Sequence, residues 1–204
     1  IIKMYGWGTT ARGAVFLVEE YVKGQNLFDW VKSSGPSIAE IVEVVHTVAK
    51  AISAAHSGGV IHCDLTPANI LRSGDGQITV CDFGMARYAS SPDEIPRGGT
   101  ASFLSPEQIS DAFGAITERS DVYGLGGLLY ALFTGIPPMQ GRDLPEILSN
   151  VLSAKMPPLV SQLGIDCSPE LETVIHRCLQ KDPASRFVSA DEVASALESV
   201  KSRK

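Results

Sequence analysis

Three side chains near the middle of the chain could do chemistry together. Asp64 and Asn69 lie in Ile61-His62-Cys63-Asp64-Leu65-Thr66-Pro67-Ala68-Asn69-Ile70-Leu71, and Asp82 ends the apolar run Thr79-Val80-Cys81, ahead of Phe83-Gly84. Two carboxylates and a carboxamide offer hard oxygen ligands. Such a set suits Mg²⁺ bound to phosphates, because Mg²⁺ keeps part of its coordination for the substrate. Pro67 fixes φ near −65° and argues against a continuous helix through the loop. Val60 and Ile61 before it, and Ile70 and Leu71 after it, read as short bracketing strands. The turn Ser73-Gly74-Asp75-Gly76 predicts a hairpin that brings Asp64, Asn69 and Asp82 to one end.

His62-x-Asp64-Leu65-x-x-x-Asn69 followed by Asp82-Phe83-Gly84 resembles the catalytic loop and metal-binding triplet of eukaryotic-type (Hanks-type) protein kinases. The order, spacing and strand context carry the resemblance together. It extends over essentially the whole chain. Ser105-Pro106-Glu107-Gln108 and Asp121-Val122-Tyr123-Gly124-Leu125-Gly126 give it a bacterial serine/threonine-kinase wording. The resemblance implies an α+β, protein-kinase-like fold, with a mostly helical large lobe plus the last strands of the small lobe. Residues 1–24 would be the residual small-lobe hairpin and hinge, and residues 25–204 the large lobe. The opening Ile1-Ile2, without Met and already strand-like, reads as a cut inside a larger domain. The Gly-rich phosphate loop, the strand lysine and its helix glutamate would lie upstream.

The roles that the resemblance implies are specific. Asp64 would accept or orient the substrate hydroxyl proton. Asn69 and Asp82 would hold the metal ions that bridge the phosphates. The backbone of Glu20 and Val22 would bond the adenine edge, with Leu71 as the floor beneath it and Cys81 facing the nucleotide pocket. Thr100 would hydrogen-bond toward Asp64, as in the Ser/Thr-directed branch. His62 and Phe83 would be packing residues, Asp121 would anchor the catalytic-loop backbone, and Arg186 would pair with Glu107 in the interior. The implied ligands are ATP and Mg²⁺, and the implied partner is a protein substrate with a Ser/Thr hydroxyl.

Three positions depart from the pattern. Cys63 stands where an arginine usually reads an activation-loop phosphate. Thr66 stands where a lysine usually contacts the terminal phosphate, and Glu19 where an apolar or Thr side chain usually guards the back of the pocket. These departures keep a second reading open, a pseudokinase acting as a binding or scaffold module. A third, a small-molecule kinase of related fold, is opposed by Gly99-Thr100 and Ser105-Pro106-Glu107, which resemble a protein-docking segment.

The elements that must position these residues follow from pattern and caps. Ile1–Trp7 and Ala14–Glu20 read as an antiparallel hairpin. Asn26 caps a short helix over Leu27–Lys32, and Ser37 with Glu40 forms a capping box. The helix after it carries Ile38, Ile41, Val42, Val45, Val48, Ala49, Ile52 and Ala55 on one stripe and runs to His56, a structural residue favoured by the helix dipole. Met85–Gly98 lacks periodicity and has the length of an activation loop. Ser105 and Gln108 form another capping box, with Pro106 at the first helical position. Asp121 opens a helix apolar nearly all round. Shorter helices are expected over Asp143–Ala154 and after Ser168-Pro169, and Ser189 and Glu192 cap the last one.

Bulk properties agree with this reading. The 204 residues are 44% hydrophobic and 20% charged, enough apolar material for a core. A net charge of −6 argues against a general nucleic-acid binder, which needs a basic footprint. Cys63, Cys81, Cys167 and Cys178 form no CxxC pair and read as free thiols in a reducing compartment, hence a cytoplasmic domain. The apolar run Leu125–Phe133 is too short to span a bilayer, so no membrane segment is expected within the chain.

Overall fold

The computed structural model describes residues 1–90 and 100–201. Ser91, Pro92 and Pro96 of the expected activation loop, Gly99 of the expected docking segment, and the basic end Ser202-Arg203-Lys204 lie outside the described residues.

The chain opens as an antiparallel hairpin of β1 (Met4–Thr9) and β2 (Val15–Glu19). Its β-branched and aromatic side chains remain largely in solvent, Trp7 at 72% exposure and Val15 at 68%. After the expected hinge, β3 (Gly24–Asn26) leads into α1 (Leu27–Ser34). The Asn26 side chain accepts the Asp29 N–H at 2.9 Å, as an N-cap should. The helix runs two residues past Lys32 because Gly35, at φ +55°, closes it in the left-handed conformation. The Ser37–Glu40 capping box starts α2 (Ile38–Ser57), whose apolar stripe is buried from Ile41 onward together with Val44, with Ile38 half-buried.

Next come β4 (Val60–Ile61), β5 (Ile70–Ser73), β6 (Ile78–Val80) and β7 (Arg87–Tyr88). They form two small antiparallel sheets, one in the order β3-β5-β6 and one pairing β4 with β7. The expected hairpin over 73–76 therefore exists. The start of the expected aperiodic segment is different: Arg87 and Tyr88 pair with Ile61 and Val60.

The remaining helices are α3 (Pro106–Ile109), α4 (Glu118–Thr134), α5 (Leu144–Leu152), α6 (Pro169–Cys178) and α7 (Ala190–Lys201). Helix α4 begins before Asp121 because Thr117 accepts the Arg119 N–H at its N-terminus. At α7, Ser189 accepts from the Glu192 N–H, but the Glu192 carboxylate reaches back to the Val188 amide and not to Ser189.

The core is helical. α4 is buried nearly all round, packing on α2, α6 and α7, while α2 also lies along α7. Two glycines of α4 allow close approach. A Cβ at Gly124 would stand 2.9 Å from Leu65 of the polar loop, and one at Gly126 would stand 2.5 Å from Cys178 of α6. The absence of side chains there lets the central helix press directly against the loop that carries Asp64. Among the described residues, no helix is long and apolar enough to cross a membrane.

Candidate active site

The loop between β4 and β5 hangs from one buried carboxylate. Asp121 Oδ2 accepts the His62 N–H at 2.8 Å, and Oδ1 accepts the Cys63 N–H at 2.9 Å. His56, at the end of α2, places its Nε2 2.8 Å from Asp121 Oδ2. His56, in the last turn of α2, thus also braces Asp121. Cys63 sits at φ +65° and Asp82 at φ +60°, the left-handed region that costs a non-glycine residue roughly 1–3 kcal/mol. The two bonds to Asp121 hold the first of these turns. Gln108 adds a third tie, donating to the Cys63 carbonyl at 2.7 Å.

His62 is fully buried, and both its ring nitrogens are occupied. Nδ1 faces the Asp64 N–H at 3.2 Å and must accept; Nε2 then carries the proton and donates to the Cys81 carbonyl at 3.1 Å. Its ring lies 4.6 Å from that of Phe83. A histidine used in this way joins the Asp64 loop to the Asp82 triplet and has no nitrogen left to act as a base.

Asp64 and Asn69 are brought together. The Asn69 side-chain N–H₂ donates to the Asp64 carbonyl and to Asp64 Oδ2, both at 2.9 Å. That orientation leaves the Asn69 carboxamide oxygen pointing elsewhere. The Asn69 backbone carbonyl accepts both the Cys81 N–H at 2.9 Å and the Cys81 thiol at 3.1 Å. Asn69 is therefore fixed to the residue that precedes Asp82. Burial, then the Asp82 and Glu19 carboxylates, push the Cys81 thiol above its ordinary pKa. Cys63 is pushed up to about 12, first by burial and then by Asp121.

The second oxygen of Asp64 meets Thr100, but through the backbone: the Thr100 N–H donates to Asp64 Oδ1 at 3.1 Å. The expected contact is made by the amide and not by the hydroxyl. Thr66 is buried at the start of the 3₁₀ turn Pro67–Asn69, and its carbonyl accepts the Asn69 N–H at 3.1 Å. Asp82 caps the turn Phe83–Met85 by accepting the Gly84 N–H at 3.2 Å.

Leu71 lies on β5, paired with Asn26 and Thr79. Glu20 and Val22 line a polar cavity of about 530 Å³ with Ser73, Asp75, Gln77 and Thr79 among others. The Glu20 N–H is taken by the Lys3 carbonyl at 2.8 Å.

Asn69 and Asp82 carry a carboxamide and a carboxylate oxygen, hard donors of the kind that Mg²⁺ takes. No group of three or more His, Cys, Asp or Glu side chains forms an all-protein cage among the described residues. Two protein oxygens with the rest supplied by phosphate and water is the usual arrangement for that ion.

A separate buried pair holds the segment after Thr100. The Glu107 carboxylate binds the Arg186 guanidinium in bidentate fashion at 2.6 and 2.8 Å, with neither side chain exposed. Ser120 of α4 donates to the same carboxylate at 2.8 Å. The pair fastens α3 to the segment between α6 and α7.

Two ties escaped the sequence. Gln108 satisfies a capping box, which accounts for it fully in sequence terms. His56 had only the helix dipole as a visible partner, because Asp121 is far away along the chain.

The protein kinase domain family model matches residues 1–197. The chain is similar to serine/threonine-protein kinase PknB of Mycobacterium leprae, 35% identical over 97% of this chain and 32% of that protein. It is also similar to serine/threonine-protein kinase pkn3 of Myxococcus xanthus, 34% identical over 98% of this chain and 38% of that protein. Serine/threonine-protein kinase PknL of Mycobacterium tuberculosis is 33% identical over 98% of this chain and 50% of that protein. The chain spans about a third to a half of the length of these relatives. Its α+β architecture, its catalytic-loop geometry and a match over nearly its whole length place this chain in the protein kinase domain family.

Proposed function

We propose that the protein containing this chain is an ATP-dependent serine/threonine kinase that transfers the terminal phosphate of ATP to a protein hydroxyl. The observation that carries the reading is the Asp64 carboxylate, held on one side by Asn69 and on the other by the Thr100 amide. In the transfer, the substrate hydroxyl oxygen forms a bond to the terminal phosphorus as the bond to the ADP oxygen breaks. The hydroxyl proton passes to Asp64, whose two anchors keep it aimed at one point. A positioned base supplies typically 10²–10⁴-fold. Mg²⁺ at Asn69 and Asp82 would neutralise phosphate charge, the larger part of catalysis in this reaction class. Cys81 and Leu71 would face the nucleotide, and Glu20 and Val22 would offer backbone groups to its base. Thr66 brings no cation to the terminal phosphate, so another donor must take that role. Residues 1–24 are read as small-lobe hairpin and hinge and residues 25–204 as large lobe, working in the cytoplasm.

The test is phosphate transfer from labelled ATP with Mg²⁺ to a generic basic protein. It uses the full-length protein beside Asp64→Asn. Activity that the variant loses by two or more orders of magnitude supports the reading; equal activity in both overturns it. Cys63 and Thr66 favour a second reading, a scaffold with a kinase fold. Intact ATP binding with no transfer in either protein would select that one.

A further inference from the structure

The backbone of Cys63 is fastened at both ends by side chains of two different helices. Its N–H goes to Asp121 of α4 at 2.9 Å, and its carbonyl accepts the side-chain N–H₂ of Gln108 in α3 at 2.7 Å. That carbonyl belongs to the peptide that leads into Asp64. The same peptide's N–H is that of Asp64, and His62 Nδ1 accepts it at 3.2 Å. Gln108 and His62 thus grip one peptide plane from opposite sides. The plane needs a grip, because Cys63 stands at φ +65°, a region that residues with a side chain disfavour.

The residue type at 108 is informative. It is the third residue of α3, where a capping box takes Glu or Gln. Glu would suit the helix start better, since its charge complements the dipole. It would also serve the cap, where the Ser105 N–H and hydroxyl both donate to Gln108 Oε1 at 3.0 Å. Only the carboxamide adds a donor for the Cys63 carbonyl. The Ser105 N–H can only donate, so it fixes Oε1 on its own side and turns the N–H₂ toward Cys63. The stretch from Thr100 to Gln108 therefore holds Asp64 twice, at the carboxylate through the Thr100 amide and at the main chain through Gln108.

We infer that Gln108 is a positioning residue for phosphate transfer: its carboxamide locks the Cys63–Asp64 peptide and so keeps the base aimed. The inference rests on the reading of Asp64 as the base.

The test uses the full-length protein and two variants. Gln108→Glu keeps the acceptor of the cap and loses the donor; Gln108→Met loses both. Ser37→Ala, at the cap of α2, is the control for general loosening. Transfer from ATP to a serine peptide is read as kcat and KM, and amide exchange over residues 61–65 by mass spectrometry. Both Gln108 variants should lower kcat about 10²-fold, the scale of a misplaced reacting group, with KM for ATP and peptide nearly unchanged. Exchange over 61–65 should quicken in both, while Gln108→Glu keeps nearly the parent's melting temperature. Ser37→Ala should lower the melting temperature and leave kcat as it was. A folded Gln108→Glu variant with the parent's kcat, or with a change confined to KM, would overturn the inference. So would an equal loss of kcat in Ser37→Ala, which would reduce the effect to stability. If exchange over 61–65 quickens in Gln108→Glu but no protein transfers phosphate, the lock on the Asp64 peptide stands and the phosphotransfer reading falls.

Discussion

Each of the five N–H donors of Arg186 has an acceptor. Two are the Glu107 oxygens, and the others are the carbonyls of Gln180, Arg119 and Lys181. A guanidinium satisfied in this way tolerates burial, but it depends on its counter-charge. Glu107→Leu should destabilise the protein by ~3–5 kcal/mol in urea titration, because it leaves a buried cation unpaired. A loss near 1 kcal/mol would mean that the carbonyls alone suffice. At this scale the family resemblance was informative: it implied both the 107–186 pair and the Asp121 anchor. It was silent on which atom of a residue makes a contact. Thr100 carries a hydroxyl and an amide, and only the fold shows that the amide faces Asp64.

Elements were legible where a side chain ends them. Asn26, Ser37 and Ser105 mark helix starts that the structure keeps. Thr117 marks one as well, but it precedes the apolar run of α4 and gives no periodic signal. The two-residue strand β7 is too short for any pattern. The β1–β2 hairpin, with apolar side chains on show, should be the least stable element. In native-state hydrogen exchange its amides should exchange far sooner than those of α2 and α4. Protection equal to α4 in the isolated chain would refute this. The end of α5 offers a second test. The Lys181 ammonium donates to the Val151 carbonyl at 2.8 Å and lies 3.4 Å from that of Asn150. Burial, and then Arg186, draw its pKa from 10.5 down to about 8. The folded value lies below the unfolded one, so between about pH 8 and 10.5 the unfolded chain holds more protons. Stability should therefore rise with pH through this window relative to Lys181→Met. Parallel stability curves for the two proteins would argue against it.

Over the whole molecule, the helices α2, α4, α6 and α7 make one core, and the candidate site lies on its surface. The stripe of α2 and the all-apolar α4 were enough to foresee that core, because burial dictates both patterns. The site's depth was not foreseeable. Gly124 gives no hint in sequence that a helix will lie against Leu65, yet that contact sets how closely the loop rides on α4. Asp121 adds a thermodynamic meaning to this closeness. The shape of the loop around Asp64 is written into main-chain bonds to a residue of the central helix, so it has no melting transition of its own. Warming should leave the loop correct until the core itself gives way, and both should then be lost in a single cooperative event.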